Sequence, residues 1–340
     1  MILHLIPENV DGCAYHRVVI PMHNLSGLEL AQTTFVDGIE DKDLEKITLV
    51  VFNRDCGVSE IDKQIKRLKR LNIPYVMDID DFWSLDKKHI LHKNYKESGA
   101  DRLIKLFKSA AAVTTTHQRL ANKVKKYNDK VFVIPNTLDA KQTQWESIKT
   151  NNPSPRFGWV GGVHHIEDIR LLVPAIKQIH QEDKVHLALG GFTLNDVYYA
   201  FDNLFSNAGR YSKYKRIDSH DVFNYGNIYN TIDVCLIPLV DNKFNNCKSN
   251  LKILEAGYKG KACIVSRCAP YIDDFTDEEV LFVDENLSWY DAIMLMQNSP
   301  SLVNGYADKL SNKVRREFDI KNVNYLRENL YKSLTNGKQV

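Results

Sequence analysis

The chain has 340 residues, enough for two domains of ordinary size, and its 44% hydrophobic and 26% charged content is that of a globular protein. A formal net charge of +2 makes no bulk electrostatic demand for nucleic acid or an anionic membrane, and no apolar run approaches the length of a bilayer span. The six cysteines, at 13, 56, 235, 247, 263 and 268, lack paired metal-ligand spacing, and several fall inside apolar runs. This usage predicts reduced core thiols in a cytoplasmic protein with no integral membrane contact.

Residues 1–7 read as a first strand and not as a secretory leader. Strand-like runs are then predicted at 2–6, 33–36, 48–52, 75–79, 112–115 and 131–134, with helices at 59–71 and 117–127 between them. That alternation predicts a parallel sheet wrapped by helices, here assigned to a first domain over residues 1–145. Between the first strand and a helix-like stretch lies Gly12-Cys-Ala-Tyr-His-Arg17, where a loop at the carboxyl end of a strand is expected. Gly12, Tyr15 and Arg17 are therefore candidates for phosphate or acceptor binding, Arg17 offering a planar fork. The plainer reading is an arginine lying along its helix.

Asp78-Ile-Asp-Asp81 closes the strand at 75–79, followed by Phe82 and Trp83. The acids read as a base or sugar-hydroxyl contact (Asp80 and Asp81 being the candidates), as a helix cap, or as ligands for a divalent cation. Basic runs at 63–70, 119–130 and 210–216 are either solvated faces or an acceptor-binding surface.

Residues 141–155, ending Asn151-Asn-Pro-Ser-Pro155, have the composition of a linker. The alternation restarts with strands at 156–160, 185–189, 234–239, 262–266 and 280–283 and a helix at 167–180, giving a second domain over 156–318. Two helices are expected within 301–334, and 319–340 is assigned to a C-terminal helix. Two doubly wound Rossmann-like α/β domains facing a cleft are thus predicted.

Trp159-Val-Gly-Gly162 follows a strand and precedes a helix, so Gly161 and Gly162 could bring backbone close to a phosphate or sugar. It is not a GxGxxG, and GxxxxGK[ST] is absent. His164 and His165 follow, and Asp168 is placed to fix a histidine tautomer or merely to complement the helix dipole. From Phe244 to Gly257, a helix would place Lys248, Lys252 and Glu255 at i, i+4 and i+7, with Ser249 in its first turn. Two ammonium groups at a helix N-terminus suit a diphosphate, and the carboxylate one turn on suits a ribose diol. A solvated amphipathic helix is the alternative. No GxSxG, HExxH or paired zinc motif occurs.

Gly158-Trp-Val-Gly-Gly162 with His165-x-x-Asp168, Lys248-Ser-x-x-Lys252-x-x-Glu255 and Ala269-Pro-Tyr271 together resemble the retaining glycosyltransferases of the GT-B fold, close to glycosyltransferase family 4 (group 1). Ile134-Pro-Asn136 and Gly12-x-x-Tyr-x-Arg17 are similar to that group as well, so the likeness runs from residue 1 to about residue 300. The resemblance implies a nucleotide-sugar donor, UDP-sugar favoured, on the second domain and a hydroxyl acceptor on the first. Glu255 would hold the ribose, Lys248, Ser249 and Lys252 would face the diphosphate, and Gly161 and Gly162 would approach it. His165 and Asp80 stand as catalytic candidates. It further implies retention of configuration and metal-independent departure of the nucleoside diphosphate, with no cofactor beyond the donor.

The chain departs from the group at Cys247, where a second glutamate is common, and after Trp159, where histidines replace an Arg/Lys pair. A thiol cannot accept hydroxyl hydrogen bonds as a carboxylate does. The acceptor would be a growing glycan or a hydroxymethylated pyrimidine in phage-type DNA, the latter giving Trp83, Tyr211 and Tyr214 a stacking role. A sugar-nucleotide epimerase and a non-catalytic nucleotide-sugar-binding module are the alternatives.

Overall fold

The computed structural model describes all residues except 35–37, 57–60, 85–91, 93–96, 151 and 336–340. The chain forms two compact units. One comprises Met1–Asp139, Cys247–Ser249 and Phe318–Val340; the other comprises Ala140–Asn246 and Asn250–Glu317.

In the first unit, β1 (Ile2–Leu5), β2 (Leu30–Thr33), β3 (Leu49–Asn53), β4 (Tyr75–Ile79), β5 (Ala112–Thr115) and β6 (Val131–Val133) form one parallel sheet in the order β2-β1-β3-β4-β5-β6. The strands β3 and β4 are buried along their whole length, which is why they read as mostly apolar runs, interrupted only by Asn53 and Asp78. Helix Ile61–Arg70 buries Ile61, Gln64, Ile65 and Leu68, the i, i+3, i+4, i+7 stripe of a helix lying on a sheet. The last helix, Tyr325–Thr335, packs Leu330 and Tyr331 against Ile2, Val51 and Val76, so the chain's end completes the first unit's core.

The second unit repeats the plan with β7 (Arg156–Val160), β8 (His186–Phe192), β9 (Tyr214–Asp218), β10 (Val234–Ile237), β11 (Ala262–Ser266) and β12 (Leu281–Val283), ordered β12-β11-β10-β7-β8-β9. From β7 the chain builds outward through β8 and β9, then returns to place β10 on the other side of β7. The direction of winding reverses between β7 and β10, and open α/β sheets bind ligands outside the carboxyl ends of strands at such a point.

Several expectations change. Residues 141–155, apart from 151, which lies outside the described residues, are not a free linker. Trp145 is completely buried, Lys259 Nζ donates to the Gln144 carbonyl (2.9 Å) and Lys261 Nζ to that of Ile148 (2.8 Å). Burial, then the nearby Lys261, lowers Lys259 to about 8. The basic run 210–216 runs into edge strand β9. There Lys213 pairs with Asp183, and the Arg216 guanidinium lies 4.3 Å from the Phe192 ring centroid and pairs with Asp202 and Asp218. Charges on an edge strand discourage pairing with another chain. Within 63–70, Arg67 and Arg70 both pair with Asp41.

Trp83 is buried against Phe107, with ring centroids 4.7 Å apart, and Tyr211 is buried with its hydroxyl donating to Val185. Tyr214 is half-buried on Asp202. None of the three is an exposed stacking platform.

The predicted strand 33–36 is β2, which ends at Thr33; residues 35 and 36 lie outside the described residues, as do 59 and 60 of the predicted helix 59–71. The stretch 301–334 holds Pro300–Glu317, Ile320–Val323 and Tyr325–Thr335. Among the described residues, no helix is long and apolar enough to cross a membrane.

Candidate functional site

At the end of β7 the chain passes through Gly161 and Gly162 into a helical turn, Val163–His165. Gly161 donates its N–H to the Gly190 carbonyl (3.4 Å), and its own carbonyl accepts from the Tyr198 hydroxyl (2.6 Å). Burial pushes Tyr198 up to about 12, which keeps it a donor. A Cβ on Gly161 would lie 2.6 Å from Lys252 Nζ and 2.9 Å from the Trp159 ring. Glycine is therefore required for Lys252 to approach the end of β7. This corrects the expectation that Gly161 presents its N–H to a phosphate: the amide is committed inside the sheet, and the residue supplies space. Gly162 is exposed.

His165 and Asp168 come together as their i, i+3 spacing predicts. Asp168 Oδ2 is 2.7 Å from His165 Nδ1, while Oδ1 accepts from the Val240 N–H (2.9 Å) and Asn245 Nδ2 (3.0 Å). One carboxylate thus ties the segment following β7 to the segment following β10, across the switch point. Burial alone would raise the Asp168 carboxyl. The His165 hydrogen bond and charge, the Val240 N–H and the Lys252 charge outweigh that and pull it below the usual range. An ionised carboxylate only accepts, so His165 carries a proton on Nδ1.

The predicted helix over 244–257 begins later, at Leu251. A single 3-10 turn, Asn245–Cys247, precedes it, and Lys248 and Ser249 lie in irregular chain between the two. Lys248, Lys252 and Glu255 consequently do not share one helical face, and Ser249 is not in a first turn. Lys248 and Ser249 count with the first unit, where Lys248 Nζ is 3.5 Å from Asp81 Oδ1. In the second unit the Lys252 ammonium lies 4.9 Å from the Trp159 ring centroid, a cation–π contact. Glu255 is buried and accepts from the Tyr229 hydroxyl at 2.8 Å.

The first unit uses its charged residues differently. Arg17 is buried; Nε and Nη2 donate to both oxygens of Asp78 (2.9 and 2.7 Å), and Nη1 donates to the Ile134 carbonyl and Asn136 Oδ1. Thr114 and Asn53 also donate to Asp78. The fork expected to face a phosphate is turned inward, because β4 and β5 place Asp78 and Thr114 side by side there. Asp80 is closed in the same manner by Arg54, with Nε at 2.8 Å and Nη2 at 3.0 Å. Burial would raise its carboxyl, but the Arg54 charge and hydrogen bonds hold it far below the usual range, which makes it a weak proton acceptor. The Asp80 base reading is corrected accordingly.

Asp78 and Asp80 are thus both engaged by arginines, and among the described residues no group of His, Cys, Asp and Glu is arranged to hold a metal ion. Asp81 is partly exposed, 3.4 Å from Arg54 Nη2. Tyr15 is buried, and Gly12 is exposed at the start of a short turn capped by Asp11. Arg54, Trp159 and Tyr229 escape sequence reasoning, since their roles arise from partners on other elements.

No family model matches the chain, and no curated protein matches it. Solved structures do. Anabaena HepE in complex with UDP and glucose aligns with a TM-score of 0.71 at 12% identity, covering 98% of this chain and 99% of that one. A glycosyltransferase from Rickettsia africae aligns at 0.67 and 11%, covering 98% of each. Sucrose-phosphate synthase from Thermosynechococcus elongatus aligns at 0.64 and 15%, covering 86% of this chain and 75% of that one. The likeness is one of fold: an α/β protein of two six-stranded, doubly wound parallel sheets, as in GT-B glycosyltransferases.

Proposed function

We propose that the chain is a glycosyltransferase that takes its sugar from a nucleoside-diphosphate donor, UDP-sugar favoured, held by the second unit. The observation that carries this reading is the convergence at the β7/β10 switch point. There the Lys252 ammonium reaches a glycine at the end of β7, beside a histidine fixed by a carboxylate that spans both loops. The similar HepE structure was solved with UDP and with UDP-glucose, which supports a nucleoside-diphosphate sugar as donor.

In this reading Lys252, together with His165 as an imidazolium protonated on both ring nitrogens, offsets negative charge developing on the departing diphosphate, and no metal is needed. Glu255 accepts from ribose hydroxyls. Retention of anomeric configuration and kinship with glycosyltransferase family 4 belong to the same proposal. The acceptor is the hydroxyl of a glycan: burial of Trp83 and Tyr211 removes the stacking platform that favoured a flipped DNA base. None of the six cysteines is joined in a disulfide, in keeping with a reducing cytoplasm.

The test is UDP release from a panel of UDP-sugars in EDTA, with glycan acceptors or hydroxymethylcytosine-containing duplex DNA. EDTA-resistant release stimulated by a glycan is expected. Stimulation by the DNA alone would replace the acceptor, conversion of the donor sugar without acceptor would indicate an epimerase, and no turnover of any donor would overturn the proposal.

A further inference from the structure

In the second unit, Gly158 on β7 and Gly190 on β8 lack the side chains that would obstruct the 3-10 segment Tyr225–Thr231 and the residue after it. A Cβ at Gly158 would lie 2.5 Å from Ile232 Cδ1, and one at Gly190 would lie 2.5 Å from Ile228 Cγ2. The two isoleucines fill these slots, so the sheet itself seats the segment. Its amino end is fixed independently: the Gly226 N–H donates to Gln144 Oε1 (3.0 Å), and a Cβ there would meet the Gln144 carbonyl at 2.4 Å.

Tyr229 lies between the two seated isoleucines. It is 1% exposed, and its hydroxyl donates to Glu255 Oε2, itself on a residue only 3% exposed. Tyr225 stands beside it with ring centroids 6.3 Å apart. Burial, then the Glu255 charge, pushes the Tyr229 phenol well above its ordinary range, so it remains a donor at any working pH. A hydrogen bond to a charged group in so dry a setting fixes the orientation of the carboxylate.

We propose that Tyr229 is a positioning residue for Glu255, holding its carboxylate in the orientation that accepts from the ribose, and that it thereby sets selectivity for ribo- over 2′-deoxyribonucleoside diphosphates. The inference rests on reading the second unit as the nucleotide site. A carboxylate locked by the protein leaves a buried charge without its hydroxyl partner when the 2′-OH is missing; one that swings does not.

The experiment is calorimetric titration of UDP and 2′-deoxy-UDP into the full chain and into Tyr229→Phe, with donor KM and kcat for both. Wild type is expected to prefer UDP by roughly tenfold or more. Tyr229→Phe is expected to bring that preference to about threefold or less and to raise donor KM roughly tenfold, with kcat falling far less. A tyrosine that only packs would leave the preference intact, so a retained preference in the variant overturns the inference while the nucleotide reading stands. Wild type that binds neither nucleotide overturns both. If Tyr229→Phe yields no soluble protein, Glu255→Gln decides, since its amide oxygen still accepts from Tyr229. Loss of the preference supports the role of the oriented carboxylate, and its retention overturns it.

Discussion

The two units share one winding but spend their charges in opposite ways. At the carboxyl ends of β3 and β4, Arg17 and Arg54 are each closed on a carboxylate by two hydrogen bonds, and the first pair is sealed from solvent. At the carboxyl end of β7, Lys252 rests on an aromatic face and His165 is aimed by a carboxylate that holds two loops together, while the buried Glu255 accepts from the Tyr229 hydroxyl. Bidentate pairing of buried groups stabilises a particular packing and leaves little capacity to bind anything else. A cation on a ring is held by the quadrupole of the ring and not by a bidentate fork. Position on a doubly wound sheet therefore does not make a charged residue functional; what its neighbours already take from it decides.

The comparison breaks most clearly in the first unit. Asp78→Ala leaves the buried Arg17 guanidinium without its counter-charge and is expected to cost about 3–5 kcal/mol, read as a lower denaturant midpoint at unchanged slope. A wild-type midpoint would show that the pair is not structural. Lys252→Ala should behave in the opposite way. Stability stays within about 1 kcal/mol of wild type while donor turnover falls roughly 10²-fold or more, by the magnitude of removing one group that stabilises developing charge. Equal losses in turnover and donor affinity would mean that Lys252 only anchors.

How much of this contrast the sequence discloses depends on whether a feature is local. Strands at 75–79, 112–115, 156–160 and 262–266 match end to end, because burial on both faces leaves a run that is mostly apolar and β-branched or aromatic. Edge strand β9, half exposed and charged, shows only as a basic run. The His165–Asp168 contact is legible from its i, i+3 spacing. The late start of the Leu251–Tyr258 helix is not. There the Asn242 side chain accepts from the Phe244 and Asn245 N–H groups at 3.0 and 2.9 Å, turning the chain locally before a helix can form. Arg17 and Arg54 were beyond reach for another reason: whether a guanidinium faces solvent or a carboxylate depends on a strand dozens of residues away.

Two smaller effects sharpen the second unit's side. Asp168→Asn removes a carboxylate whose folded pKa lies below its ordinary 3.8. A depressed carboxyl contributes stability that is fully present above the ordinary value and is lost as pH falls through the lowered one. The gap between wild type and variant, about 2 kcal/mol, should thus be flat at neutral pH and close in acid below the ordinary value. A gap that widens in acid would contradict the assignment. Gly161→Ala places a methyl against Lys252 Nζ and the Trp159 ring, so UDP affinity should drop roughly tenfold with the fold intact, as calorimetry and circular dichroism would show.

Hydrogen exchange of the full chain with and without saturating UDP tests the central claim most directly, because it shows which unit takes the nucleotide. Protection is expected in Gly161–Asp168 and through the helix Leu251–Tyr258, with Asn53–Cys56 and Asp78–Asp81 unchanged. Protection confined to the segments around Arg54 and Asp80 would contradict it and move the nucleotide to the first unit.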